Sequence, residues 1–425
     1  MSSNRDQPPV VGTLAEYSES PFERREEWSE NRDIATMVGP DRNHHLVVHP
    51  EYVRRVLVTD NDQYEKYGAY NSVFGGGLVS VYDEQWRAQR GALQPAFTPD
   101  RVIAYCETIR DVVQSTVEPL EDGQTVDVSE LSTRLTAEVM LETLFGGAGD
   151  KTETVARVAD QINDWFMETA TAGGVPDETQ SDFDRGREEL TSLVDEMVED
   201  RDGDTESSDL LSMLVAMGPD HEAGYTDERI RDEMITLFFG AHETTALTLT
   251  YTLFLLADAP EVGRKLRSEL DEVLDGAVPG PEHVRELPYT EQVIDEAMRL
   301  YSPAHSLFRE ATTDVEIGPY TVPEGDVVYL PQCVIHRDER WWDSPETFRP
   351  ERFDGESDRH PFAFFPFGAG PRRCIGERFA RAEANLAVAT LADAFRFERV
   401  TETFEQVAGL TAVPDRPIEM TVHSR

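Results

Sequence analysis

FPFGAGPRRCIGERFARAEANLAVA, residues 365–389, carries the reading of this chain. Gly368 and Gly370 permit backbone angles and close approaches that side chains forbid. Pro371 stiffens the turn that follows. Apolar residues then recur at helical spacing, which predicts a helix from Cys374 to about residue 394. A cysteine at a helix start meets free N–H groups and the positive end of the dipole, and both stabilise a thiolate. Gly376 keeps the surface beside the sulfur flat. One thiolate on a glycine-lined face suits a planar macrocycle. A lone cysteine beside a glycine turn is more often inert and buried, so the rest of the chain has to decide.

Outward from this stretch, the texture changes twice. Residues 338–373 are rich in Pro, Phe, Trp and Gly and show little periodicity, and an irregular segment of that length is usually functional. VEIGPYTVPEGDVVYL, 315–330, has the short β-rich runs and turn residues of hairpins. Between residues 50 and 301 the spacing is mostly helical, over 83–97, 101–119, 128–146, 153–170, 185–199, 226–258, 261–274 and 289–301. Residues 1–30 are polar and are expected to run extended over the surface. The acidic run EDRDGDTESSD, 199–209, reads as a solvated loop. The fold class is mainly α with a smaller β part.

The 425 residues carry 83 Asp and Glu against 39 Lys and Arg, a formal charge of −44, and only Lys66, Lys151 and Lys265 are lysines. Such a surface repels nucleic acid and anionic membranes, and it repels itself unless salt screens it. The acid-rich, lysine-poor balance resembles cytoplasmic proteins of salt-accumulating halophiles. MSSNRDQPPV at the start lacks the pattern of a signal peptide, and TALTLTYTLFLLA, 245–257, is too short and too broken by threonine for a membrane span. A cytoplasmic protein without a membrane anchor is therefore expected. Cys106, Cys333 and Cys374 make no disulfide framework. Gly75–Gly76–Gly77 lacks the following Lys-Ser/Thr of a phosphate loop, and the histidines show no zinc spacing.

The phrase FGAGPRRCIG, from Phe367 through Gly370, Arg372 and Cys374 to Gly376, resembles the haem-binding loop of the cytochrome P450 family. The resemblance implies that Cys374 is the axial iron ligand, that Phe367 packs beside its sulfur, and that Arg372 reaches a haem propionate. Three further phrases match in the family's order. In VIDEAMRL, Glu296 and Arg299 share one helix face, which alone would be an ordinary surface pair. The resemblance makes the pair buried and completes it with Arg352 of FRPERF, a structural role. In FFGAHETTALT, Gly240 and Thr244 are one turn apart, and a threonine hydroxyl bonded to the carbonyl four residues back opens a helix. Here the resemblance places the oxygen-binding groove at Gly240 and Ala241 and a catalytic acid–alcohol pair on Glu243 and Thr244. Ala241 stands where the family usually has glycine. His242 is expected to be packed or hydrogen-bonded, since a second axial ligand would block oxygen. In DEQWRAQRGALQPAF, Trp86 and Arg90 are one turn apart, and the resemblance sets both at the propionates. It adds Arg309 of LFRE there with less specificity, while HRDER, 336–340, matches without a clear role.

A single haem domain over residues 1–425 follows as an expectation, with haem b (iron protoporphyrin IX) as cofactor, molecular oxygen as co-substrate and an apolar small molecule as substrate. No fused reductase is seen, so electrons are expected from a separate ferredoxin or flavodoxin and its reductase. Arg373, Arg378 and Arg381 form a candidate docking patch beside the thiolate loop, unless they merely pair with Glu377 and Glu383. The pocket is expected from Thr236, Phe239, Gly240 and Thr244 with residues 66–80 and 303–308 as other walls. Two rival readings are a haem-thiolate protein for gas binding or electron transfer, and a reductase-independent enzyme that uses peroxide. Neither needs a two-proton relay, which the Glu243–Thr244 pair would supply.

Overall fold

The computed structural model describes residues 7–147, 149, 151–169, 175–201, 209–355 and 358–425. Most of the acidic run 199–209 lies outside the described residues. Its principal helices are α1 (Leu14–Glu19), α2 (Pro21–Ser29), α3 (Asp83–Leu93), α4 (Pro99–Val117), α5 (Val128–Leu144), α6 (Thr152–Thr169), α7 (Asp177–Glu199), α8 (Leu210–Met217), α9 (Asp227–Ala257), α10 (Pro260–Leu274), α11 (Pro288–Leu300) and α12 (Glu377–Ala394). The mainly α reading holds. The spacing-derived helices lie within a few residues of their observed bounds, apart from the start of α7. No helix among the described residues is long and apolar enough to cross a membrane.

The longest helix, α9, is set by its ends and its faces. Thr226 caps it by accepting from Arg229 N–H, and Asp227 and Glu228 occupy the first turn, where the helix dipole favours acids. Its length of 31 residues spans about 46 Å. Both sides are apolar enough to bury it in the main core, with Phe238 and Phe145 edge to face at 4.8 Å. Its threonines stay helical because each hydroxyl donates to the carbonyl four residues back: Thr236 to Asp232, Thr248 to Thr244, Thr250 to Ala246.

A six-stranded sheet lies at the other side of the site. Its strands are β1 (Val10–Thr13), β2 (Ile34–Val38), β3 (His44–Val47), β4 (Tyr64–Lys66), β5 (Leu307–Ala311) and β6 (Val327–Leu330). They run in the order β1-β2-β3-β6-β5-β4. The β4–β5 register sets Tyr64 opposite Ala311 and Lys66 opposite Arg309.

Two expectations need correction. Residues 10–29 are not an extended surface segment. They form β1, α1 and α2, with Tyr17, Arg25 and Trp28 buried. Thr13 and Glu16 make a capping box, and Pro21 opens α2, so the polar composition concealed real helix signals. The helix near Cys374 begins at Glu377 with Gly376 as its cap, so Cys374 lies in the loop rather than on the first turn.

Candidate active site around Cys374

The thiolate loop is shaped by its glycines. Gly368 and Gly370 both have φ of +68°. A Cβ on Gly370 would meet the Leu57 carbonyl oxygen at 2.0 Å, so only glycine passes there. Gly370 itself is outside the cavity wall, which is built by Phe367, Gly368, Arg372, Cys374 and Gly376 instead. Phe365 O accepts from Gly368 N–H at 2.8 Å, and Phe367 O accepts from Cys374 N–H at 2.9 Å. These bonds aim the sulfur into the interior. Cys374 is accessible only in the sense that it faces open cavity space. Burial pushes its thiol up, against a lowering by Gly376 N–H, Arg90 and Arg373. A coordinated metal ion reverses that balance, because a coordinating thiol is deprotonated outright.

A cavity of about 350 Å³ opens over the sulfur. Gly240, Ala241 and Thr244 of α9 line it, with Thr236 and Phe239 on the same face. Tyr70, Phe74 and Leu78 form one further wall and Pro303, Ala304 and Leu307 another, as the sequence led us to expect. Trp86, Arg90, Arg309 and Arg372 also reach the cavity. Arg372 lies over the Trp86 ring at 4.8 Å and donates to Val81 O at 2.9 Å. Arg90 donates to Arg373 O at 2.9 Å, tying α3 to the thiolate loop.

Sequence reasoning put Lys66 within the 66–80 wall but gave it no role. It borders the same cavity, directly across the strand pair from Arg309. Like charges directly opposite on paired strands are unfavourable. Neither residue, nor Arg372, forms an ion pair among the described residues. Burial, then Arg309 and Arg372, hold the Lys66 ammonium well below its ordinary range, and burial and Arg372 bring Arg309 down to about 10. Three basic side chains without a salt bridge among the described residues, with Asp83 and Glu65 acting on Arg372 only at longer range, make a place for an anionic group.

The acid–alcohol pair is split by the helix. Thr244 faces the cavity and donates to Gly240 O at 3.1 Å. Glu243, one residue earlier, turns away and is buried. Its Oε1 accepts from Thr411 Oγ1 at 2.8 Å, and its Oε2 has no partner among the described residues. Burial pushes the Glu243 carboxyl up to about 8, with Asp160 and Asp164 adding to the rise. Thr411 borders the cavity, so it stands between the buried acid and the open space. His242 is buried away from the cavity with Nδ1 at Phe238 O, and burial lowers its pKa to about 4.

The Glu296 cluster sits behind the loop. Glu296 Oε2 accepts from Arg299 Nε at 2.7 Å, and Oε1 accepts from Arg352 Nε at 2.9 Å and from Arg349 N–H at 2.9 Å. Glu296 and Arg299 are fully buried. Arg299 Nη1 donates to His336 O at 2.9 Å. His336 Nε2 in turn accepts from Phe365 N–H at 3.0 Å, and Gln332 Nε2 donates to Phe365 O. The first residue of HRDER thus links the cluster to the thiolate loop.

A cytochrome P450 family model matches residues 5–421. The chain belongs to the cytochrome P450 family. The chain is 33% identical to a cyclooctat-9-en-7-ol 5-monooxygenase of Streptomyces melanosporofaciens, over 87% of this chain and 83% of that one. It is 30% identical to a pentalenene oxygenase of Streptomyces avermitilis, over 91% and 89%, and 31% identical to a cytokinin hydroxylase of Arabidopsis thaliana, over 82% and 72%. This cytochrome P450 is a haem-dependent monooxygenase that hydroxylates apolar substrates, and the family uses haem iron and molecular oxygen. The residues present fit a haem: a thiol faces an apolar cavity, and Lys66, Arg309 and Arg372 on its wall could take an anionic group.

Of the two readings of the basic cluster, pairing with Glu377 holds for Arg381 and pairing with Glu383 does not hold. Arg381 pairs with Asp295 at 2.8 Å and Glu291 at 3.3 Å as well as Glu377, and lies over the Phe367 ring at 5.0 Å. It is a clamp between α11, α12 and the loop rather than a free docking charge. Glu383 is fully buried, burial pushes its carboxyl far up, and among the described residues neither of its oxygens has a partner, so it pairs with no arginine there.

Proposed function

We propose that this P450 inserts one oxygen atom into a largely hydrocarbon, ring-containing substrate, with Cys374 as the iron ligand and a one-residue division of labour on α9. The observation that carries this reading is the apolar cavity over Cys374, bounded by Gly240 and Thr244. Relatives named for cyclooctat-9-en-7-ol and pentalenene support a substrate of that kind. Haem b, held in a single domain over residues 1–425, would supply oxygen activation, with electron density pushed from the thiolate. Trp86, Arg90, Arg309 and Arg372, joined by Lys66, would hold its carboxylates, and Phe367 and Gly376 would pack beside the sulfur and the ring.

The chain's own chemistry is proton delivery. Glu243 holds its proton near neutral pH, because burial lifts its carboxyl to about 8. A neutral acid is the form that can give a proton. Thr411 is the first hydroxyl on the way from Glu243 to the cavity. Thr244 receives at the cavity wall when its hydroxyl leaves the Gly240 carbonyl. In the Thr244→Ala variant haem and substrate still bind, but product per reductant consumed falls by roughly tenfold or more, since general-acid contributions run about 10²–10⁴-fold. Hydrogen peroxide and water account for the missing equivalents. Coupling equal to that of the parent would refute the role of Thr244.

Electrons would come from a ferredoxin or flavodoxin docking beside the thiolate loop. Arg373 and Arg378 are exposed there, although Arg373 shares Glu377 with Arg381. The −44 charge supports a salt-rich cytoplasm as the working medium. There the Debye length approaches about 3 Å, so short contacts rather than long-range steering must bring the donor in. Reversing Arg373 and Arg378 to glutamate slows haem reduction by an acidic ferredoxin about tenfold and leaves substrate binding unchanged. Stopped-flow reduction at the parent's rate would place the donor elsewhere.

A further inference from the structure

Gly75–Gly76–Gly77 is no phosphate loop, and the structure shows what it does instead. The segment lies flush against α9. A Cβ on Gly77 would meet Thr236 Oγ1 at 2.0 Å. Gly76 N–H donates to Asp232 Oδ2 at 2.7 Å, and Leu78 N–H donates to Glu233 Oε1 at 3.2 Å. Two adjacent carboxylates of α9 therefore fasten the wall loop across the cavity. That accounts for one oxygen of Glu233 only.

Glu233 is buried, borders the cavity, and among the described residues its Oε2 has no partner. Tyr225 OH, whose pKa burial and then Glu233 raise, is likewise buried and, among the described residues, unpartnered. A buried polar atom left without a hydrogen bond is costly, and a substrate group that satisfies it gains correspondingly. The neighbouring Thr236 hydroxyl donates to Asp232 O at 2.8 Å and is not a partner of Oε2. Phe74, Leu78, Leu237 and Phe239 make the surrounding wall apolar.

We infer that Glu233 is a specificity-determining residue that hydrogen-bonds a hydroxyl group carried by an otherwise apolar substrate. A hydroxyl both donates and accepts, so it suits Oε2 in either protonation state. Burial pushes the Glu233 carboxyl up to about 8, so it is mainly a donor at neutral pH. Glu233 precedes Gly240 by seven residues, or about 10 Å along α9. The anchored hydroxyl therefore sits well away from the carbon presented at Gly240 and Thr244. The preferred ligand is an alcohol with a hydrocarbon body long enough to bridge that gap, oxidised at its far end. The inference rests on the cavity being the substrate site.

The test uses the haem-loaded protein and three matched pairs: dodecan-1-ol with dodecane, cedrol with cedrane, and cholestanol with cholestane. Affinity is read by calorimetry and by the shift of the haem spectrum, with haem loading checked in each variant. The parent binds the alcohol of at least one pair about tenfold more tightly than its hydrocarbon. Glu233→Gln keeps an acceptor for Leu78 N–H and cuts that preference about threefold, while Glu233→Met abolishes it. Equal affinities within every pair in the parent would overturn the inference and leave the apolar cavity standing. So would a preference unchanged in Glu233→Gln, whether or not Glu233→Met loads haem. Binding of no member of any pair would overturn both this inference and the reading of the cavity.

Discussion

Glu296→Ala yields almost no folded, haem-loaded protein. The carboxylate is fully buried and accepts from Arg299, Arg352 and the backbone of Arg349. Its removal strands two guanidiniums away from water. Breaking a buried pair in this way costs about 3–5 kcal/mol. Whole domains are stable by only about 5–15 kcal/mol, so the loss is a large fraction of the total. The damage is also directed. Arg299 holds His336 O, His336 holds Phe365 N–H, and Phe365 opens the thiolate loop. Haem content per protein and the thermal unfolding midpoint both fall, and Glu296→Gln, which keeps one acceptor oxygen, lies between the variant and the parent. Normal haem content and an unchanged midpoint in Glu296→Ala would show that the cluster supports nothing.

The sequence was readable wherever one local period governed the structure. The periodicity of 226–258 returned α9, and the glycine-rich approach to Cys374 located the loop, because those patterns need no distant partner. It was misread where polarity hid a short helix. In α1 and α2 few apolar residues are spent on the core, yet the capping box at Thr13 and the proline at Pro21 were visible signals. Glu383 follows Phe379 by four residues, which puts it on the buried face of α12, so helical spacing already argued against a surface pair with arginine. Other features were beyond local reading. Lys66, inside the expected 66–80 wall, meets Arg309 only through the register of strands some 240 residues apart in sequence. The opposed directions of Glu243 and Thr244 follow from the turn of about 100° per residue in a helix, but which faced the cavity depended on how α9 packs. His336 gained its role only once the Glu296 cluster and Phe365 were in place around it.

Cys374→Ser removes the thiolate and with it the defining electronic feature of the site. Cys106 and Cys333 cannot replace it. Cys106 is buried within α4 and donates to Val102 O at 3.2 Å, and Cys333 lies 3.6 Å from Arg25 Nη1, away from the cavity wall. A serine hydroxyl is a poor ligand for iron beside the thiolate it replaces, so the variant should lose oxygenase activity even where haem remains bound. The spectrum of the ferrous carbon monoxide complex reads the ligand itself. The parent, Cys106→Ser and Cys333→Ser are expected to show the red-shifted thiolate band, and Cys374→Ser to lack it. Retention of that band in Cys374→Ser, with its loss in either of the other two, would contradict the assignment of Cys374 as the haem ligand.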